Sequence, residues 1–366
     1  MAIAAFASVA CGGLHRRGQG RPAAPEIVRA AVAVEPAEPL VVAKIPTGLH
    51  AACSLVPAAG LIWLSGYDRY LRAVDPATNR IVGRVALPGW ACHTVLHRGL
   101  LWTLLPAAGL LAAVDPVHRR IVRLARVEDP CTWGFGFGAG RLWVVDNTGL
   151  PAESERDPAT GTTLRRLPPI TGIGSGEAGP CAVAVAGGDV WFGTVGGVWH
   201  VDARTLKILG RLDAGPEPAV TAVAVGDQVF VGNRSAGEMR RIDARNRRVA
   251  AVYRFGGGWL AATAGELWAT SSLNTAQAGG TDPILVRAAR GPDRVIARYR
   301  VGRHAARLAV APLFSIGMVP ARMPVPGQVP FALGPVAVAY DSVWVAQNVE
   351  GRIYRLHPPA RAASAG

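Results

Sequence analysis

The sequence predicts an all-β fold: a seven-bladed β-propeller of four-stranded blades, closed by an N-terminal outer strand that completes the last blade. Three observations predict it. An aromatic residue recurs in a fixed local context about every 40 residues. An aspartate-led turn follows it in the same phase. The final copy stops one strand short, and the first ordered-looking stretch is a strand with no blade before it.

The repeat is read from the segments around Trp63, Trp102, Trp143, Trp191, Phe230, Trp268 and Trp344, whose spacings are 39, 41, 48, 39, 38 and 76. An alternating small-apolar strand precedes each aromatic, as in Cys181-Ala-Val-Ala-Val, and a tight Gly/Asp turn leads into the aromatic strand. A third strand then runs into Val74-Asp75-Pro76-Ala77, Val114-Asp115-Pro116, Val201-Asp202-Ala203 or Ile242-Asp243-Ala244. Asp accepts backbone hydrogen bonds there and Pro presets φ, which suits a type I turn. A fourth strand follows, such as Arg80-Ile81-Val82-Gly83-Arg84-Val85. Period-two alternation with β-branched residues argues strands, and four short strands per 40 residues is a propeller blade.

Closure supports the count. The last copy ends at Tyr354-Arg355-Leu356-His357 after three strands, and Leu40 to Gly48 reads as the missing outer strand. An open ring would leave strand edges and blade faces unpaired. The 76-residue gap after Trp268 holds one outer strand and then a Pro-, Met- and Ala-rich stretch. Residues 303–333 are therefore expected to be an insertion. Residues 36–357 form the propeller, 12–35 a linker and 358–366 a tail.

Half of the residues are hydrophobic, which argues against disorder, and no apolar run reaches the roughly 18 residues of a membrane helix. Basic residues outnumber acidic ones 39 to 25, for a net charge of +14, and all but Lys44 and Lys207 are arginine. The arginines are scattered singly or in pairs, so the charge reads as solubility and no nucleic-acid partner is expected. Residues 2–10 form a short apolar run ending at Cys11-Gly12-Gly13. This resembles the end of a bacterial lipoprotein signal, with Cys11 as the lipidated residue, although no Lys or Arg precedes it. Residues 1–11 would then be the signal end. The implied location is extracytoplasmic, as a membrane lipoprotein or a secreted protein.

Cys53, Cys92, Cys131 and Cys181 precede their aromatic by 10, 10, 12 and 10 residues. They share one repeat phase near the start of the innermost strand, where neighbouring blades converge. Two disulfides, for instance Cys53–Cys92 and Cys131–Cys181, fit an exported protein, provided the Cα atoms lie within bridging distance. Four buried small hydrophobes are the alternative.

The loops into the innermost strands and the loops between second and third strands share one face, the default binding rim of a propeller. The first set offers His50, Trp90, His93, Glu128, Trp133 and Trp259. The second offers Tyr67, Asp68, Asp146, Asn147, Asn233, Arg234, Gln347 and Asn348. Tryptophan, tyrosine and polar edges together suit a flat amphipathic molecule or a glycan. Packing between blades is the alternative for the tryptophans, and turn formation for Asp68, Asn147 and Asn348.

The units Val74-Asp75-Pro76-Ala77-Thr78-Asn79-Arg80-Ile81-Val82 and Val343-Trp344-Val345-Ala346-Gln347-Asn348 resemble the YVTN-type propellers and the related streptogramin (virginiamycin B) lyase-like repeats. The resemblance covers residues 40–357. It implies the propeller fold and admits enzymes and binding proteins alike. The favoured expectation is a binding scaffold at the cell envelope, with a small molecule, glycan or envelope protein as partner and no cofactor. The lyase resemblance implies the alternative, a divalent-metal elimination with a His base and carboxylates, for which His50, His93 and Glu128 are the candidates.

Overall fold

In the computed structural model the described residues are 26–28, 38–49, 52–127, 130–146, 153–157, 160, 162–167, 182–194, 197–213, 219–233, 238–254, 257–271, 283–289, 295–303 and 332–357. For 26–28, 130–133, 146, 153–154, 194, 219–220, 233, 257 and 271 only the backbone is described. Among these residues there are seven sheets, one per blade, each built on four antiparallel strands that are consecutive in the chain except in blade 7. Blade 1 comprises Ala52–Ala58, Leu61–Gly66, Tyr70–Asp75 and Arg80–Ala86. Blades 2 to 6 begin with the inner strands Thr94–His97, Pro130–Gly138, Ala182–Ala186, Ala219–Val225 and Gly257–Ala262. Blade 7 comprises Leu333–Ala339, Ser342–Gln347, Arg352–His357 and, from the other end of the chain, Leu40–Pro46.

That last pairing is the expected closure. Leu40–Pro46 runs antiparallel to Arg352–His357, from Leu40 opposite His357 to Pro46 opposite Arg352. The inner strand of blade 7 packs beside that of blade 1, so the ring is complete.

The repeating aromatic explains why the blades stack. Trp63, Trp102, Trp143, Trp191, Phe230, Trp268 and Trp344 are all buried in the interblade cores. Four of the indoles satisfy their polar edge in the same way. Trp63, Trp143, Trp191 and Trp344 donate Nε1–H to the carbonyl five residues earlier, at Ala58, Gly138, Ala186 and Ala339. Burying an indole costs less when its N–H finds a partner, and in these four blades the end of the preceding strand supplies it.

The turns follow the sequence chemistry. Asp75, Asp115 and Asp202 accept the N–H two residues on. The N–H of Ala77 and the Thr78 hydroxyl hold the Asp75 carboxyl below its usual range. Each loop closes on a left-handed residue: Asn79, Arg119, Leu206 and Arg247 have φ of 56°, 54°, 61° and 52°. In blades 1, 2, 3, 4 and 7 the hairpin between first and second strands is a two-residue turn, such as Ala59-Gly60 or Arg98-Gly99, with positive φ at both positions.

Two features lie outside the expectations. Each outer strand carries a register shift that leaves one residue without an opposite number. In chain order these are Val42, Val82, Val122, Leu164, Leu209, Ala250 and Ile296. Second, Glu26–Val28 forms a fifth strand, parallel to Ala251–Tyr253 on the outer edge of blade 5. These three residues fall within the stretch expected to be a bare linker. A three-residue Glu-Ile-Val run is too short to stand out as a strand beside its Pro- and Ala-rich surroundings. Most of the expected insertion, residues 304–331, lies outside the described residues.

Candidate functional site

The seven inner strands surround an axial channel of about 430 Å³. Its side chains are mainly Val, Ala, Leu and Phe, because inner-strand positions must be small and apolar to converge on the axis. The hydroxyls in this wall are turned into the seams. Ser54 donates to the Cys92 carbonyl, Thr94 bonds with Ser65 and Thr103, and Thr221 donates to the Gly258 carbonyl. Each bond except Thr94–Thr103 joins adjacent blades.

The disulfide reading is borne out for one pair. Cys53 and Cys92 are bonded, with Cα atoms 4.9 Å apart, and join the starts of the inner strands of blades 1 and 2. Cys181, and the side chain of Cys131, lie outside the described residues, as does Cys11.

His93 lines the channel next to this bond. Its ring meets Phe135 edge-on at 5.0 Å. Burial pushes the imidazole down to about 4, and a hydrogen bond with the Phe135 backbone only partly opposes this, so His93 is neutral at neutral pH. With Cys53 in a disulfide, His93 is the one titratable side chain of the channel wall among the described residues. Among them no group of three His, Cys, Asp or Glu side chains is placed to hold a metal ion.

The rim end of the channel is aromatic. Trp259, 7% exposed, sits in one buried cluster with Cys53, Cys92, Tyr67, Tyr299 and Leu333, and its Nε1 donates to the Cys53 carbonyl at 3.2 Å. Trp90 packs against this cluster half-buried, its ring 5.1 Å from that of Tyr67. In blade 1 the two sets of loops are in contact. The Gly66–Arg69 loop and the Leu87–Ala91 loop touch through a Gly66–Ala91 bridge, an Ala91 N–H to Asp68 carbonyl bond and a Leu87 N–H to Arg69 carbonyl bond.

Other candidates take structural positions. Asp68 accepts from the Tyr70 N–H and pairs with Arg72. Asn348 is fully buried, and its Oδ1 accepts the Ala52 N–H at 3.1 Å. Its neighbour Gln347, also fully buried, donates to the Val301 and Arg303 carbonyls. One dipeptide in blade 7 thus grips blade 1 on one side and blade 6 on the other. His50, Glu128, Asn147 and Arg234, and the side chains of Trp133, Asp146 and Asn233, lie outside the described residues.

No family model matches the chain, and no curated protein does. The solved structures carry the fold. The β-propeller domain of Myceliophteria thermophila Cps50 (Swd1) aligns with a TM-score of 0.63 at 12% identity, over 87% of this chain and 99% of that one. The computationally designed Ika8 protein aligns with a TM-score of 0.58 at 10% identity, over 88% and 100%. The chain is a seven-bladed β-propeller. At these identities the likeness speaks to the scaffold and not to what the scaffold binds.

Proposed function

We propose that this protein is an exported, lipid-anchored β-propeller that serves as a binding scaffold at the cell envelope, taking a small molecule, glycan or protein partner at the rim end of its channel. The observation that carries the binding reading is the channel mouth. Half-buried Trp90 packs on the buried Tyr67, in the same cluster as Trp259, which lines an apolar channel wall where His93 is the single titratable group described. Aromatic and apolar surface with few polar groups is the composition of a recognition site. The Cys53–Cys92 bond supports export, since such bonds persist outside the reducing cytosol.

One observation favours the second reading, a metal-dependent lyase of the kind the YVTN and streptogramin lyase resemblance implies. His93 is unprotonated at neutral pH, the state a general base needs. Against it, acid–base chemistry needs a second group within hydrogen-bond reach, and no carboxylate lines the channel among the described residues.

Two measurements test these readings. Intact mass of the full chain, with and without reductant, should give a diacylglycerol adduct on a chain starting at Cys11 and blocked thiols. An unprocessed chain with free thiols overturns export. Trp90→Ala should weaken any partner recovered from the envelope at least tenfold, and unchanged affinity overturns the rim. Cleavage of a cyclic depsipeptide with added divalent metal, lost in His93→Gln, would move the assignment to the lyase.

A further inference from the structure

We propose that the face opposite the rim, where the aspartate turns lie, docks on an anionic phospholipid surface. Ten large hydrophobic side chains are exposed among the described residues, and all ten belong to blades 7, 1, 2 and 3. The two most exposed mark the turn side. Val117, at 68%, lies in the turn before Arg120, and Leu40, at 63%, begins the outer strand of blade 7 opposite His357. Tyr340 and Leu96 stand at or beside first hairpins of blades 7 and 2, on the same side, and the unpaired outer-strand residues Val82 and Val122 lie just above. In blades 4 to 6 the residues equivalent to Val82, namely Leu209, Ala250 and Ile296, are only half-exposed. The apolar exposure is therefore concentrated on one arc.

The same arc is cationic. Arg80, Arg98, Arg119 and Arg120 are exposed there against Asp75 and Asp115, each of which is engaged by its own turn. Guanidinium groups beside exposed aliphatic side chains fit a lipid interface. The cations meet phosphates while the aliphatic groups enter the headgroup layer. A soluble acidic partner would satisfy only the charge.

The path of the chain points the same way. The outer strand of blade 5 runs from the turn side to the rim, and Glu26–Val28 lies parallel to it. Glu26 is therefore the turn-side end of this strand. Fourteen residues lie between Cys11 and Glu26, and the connection spans at most about 50 Å when extended. The orientation rests on the proposed anchor; the patch does not. With both, the rim faces away from the membrane.

The test uses the unlipidated full chain, Cys11→Ser, and sedimentation with vesicles of phosphatidylglycerol and phosphatidylcholine or of phosphatidylcholine alone. The expected result is binding to the anionic vesicles only, weakened by salt. Arg80→Glu with Arg120→Glu should weaken it roughly tenfold or more. Leu40→Ser with Val117→Ser should weaken it severalfold without any change of charge. Arg126→Glu with Arg300→Glu removes the same charge at the rim ends of outer strands and should leave binding within about twofold. Thermal midpoints matching the parent establish that each variant is folded. Equal loss in the two charge-reversal pairs reduces the effect to net charge and overturns the proposal. Equal binding to neutral vesicles, or no sedimentation with either, also overturns it. A missing adduct at Cys11 would refute the anchor and leave this result standing.

Discussion

The indole of Trp259, in blade 6, donates to the carbonyl of Cys53, in blade 1, at 3.2 Å. The bond passes over blade 7, whose Leu333 and Val336 lie in the same buried cluster. A residue that reads as a stacking platform in the sequence thus ties together two blades that are not neighbours, beside the Cys53–Cys92 bond.

Trp259→Phe keeps the ring and leaves the Cys53 carbonyl without its donor. It should lower stability by about 1 kcal/mol, whereas Trp259→Ala should cost about 3–5 kcal/mol by leaving a cavity at the channel mouth. Urea unfolding with unchanged m-values checks both. Equal losses in the two variants would show that the hydrogen bond, and not the ring, holds the mouth.

Cys53–Cys92 closes a loop with a sequence separation of 39. Loop-entropy arithmetic for that length gives about 4 kcal/mol, less whatever order the unfolded chain retains. The Cys53→Ser, Cys92→Ser variant should lose a few kcal/mol in denaturant midpoint experiments. Reductant should lower the parent toward it. A midpoint insensitive to both would mean that the seam hydrogen bonds of Ser54, Ser65 and Thr94 already fix blades 1 and 2.

His93 sets a pH dependence with a definite sign. Its folded value is about 4 against 6.5 for the free group, so below 6.5 the unfolded chain binds the proton more readily. Stability from this residue is complete above pH 6.5 and is lost as pH falls toward 4, by up to about 3 kcal/mol. His93→Gln should flatten that part of the stability–pH curve. Ring-proton NMR should place the titration near 4; a value near 6.5 would mean that the channel wall hydrates the ring.

Asn348→Ala leaves the buried Ala52 N–H without its acceptor and should cost about 1–3 kcal/mol. Gln347→Ala removes the contacts to Val301 and Arg303 and should cost a similar amount. Hydrogen exchange should locate the first loss at the blade 7–1 seam and the second at the blade 6–7 seam. Global loosening in both would show that the ring opens as one unit.

The fold was legible because its signals are local and repeated. Trp63 and its six counterparts bury the same face, the aspartate turns recur in phase, and Leu40–Pro46 has nowhere to pair except the last blade. Repeat phase made Cys53–Cys92 one candidate bridge beside the alternative of four buried thiols, and the 4.9 Å Cα separation decides for the bond. The site was less so. Asn348 looks like an exposed turn former, yet it is buried because the Ala52 N–H at the start of blade 1 needs an acceptor. Trp259 looks like a rim platform, yet it closes over its own disulfide. Such roles depend on which blades meet across the axis, and no window of sequence carries that.

The unpaired residue in every outer strand bears on how this protein behaves when crowded. The outer circumference of a propeller offers another chain one exposed backbone ladder per blade, each a template for sheet growth between molecules. A single extra residue, from Val42 to Ile296, kinks each ladder and spoils its register with any straight strand. In blade 5 the segment beyond the kink is already occupied by Glu26–Val28. A chain that is half hydrophobic is in this way kept from edge-to-edge sheet growth at high concentration.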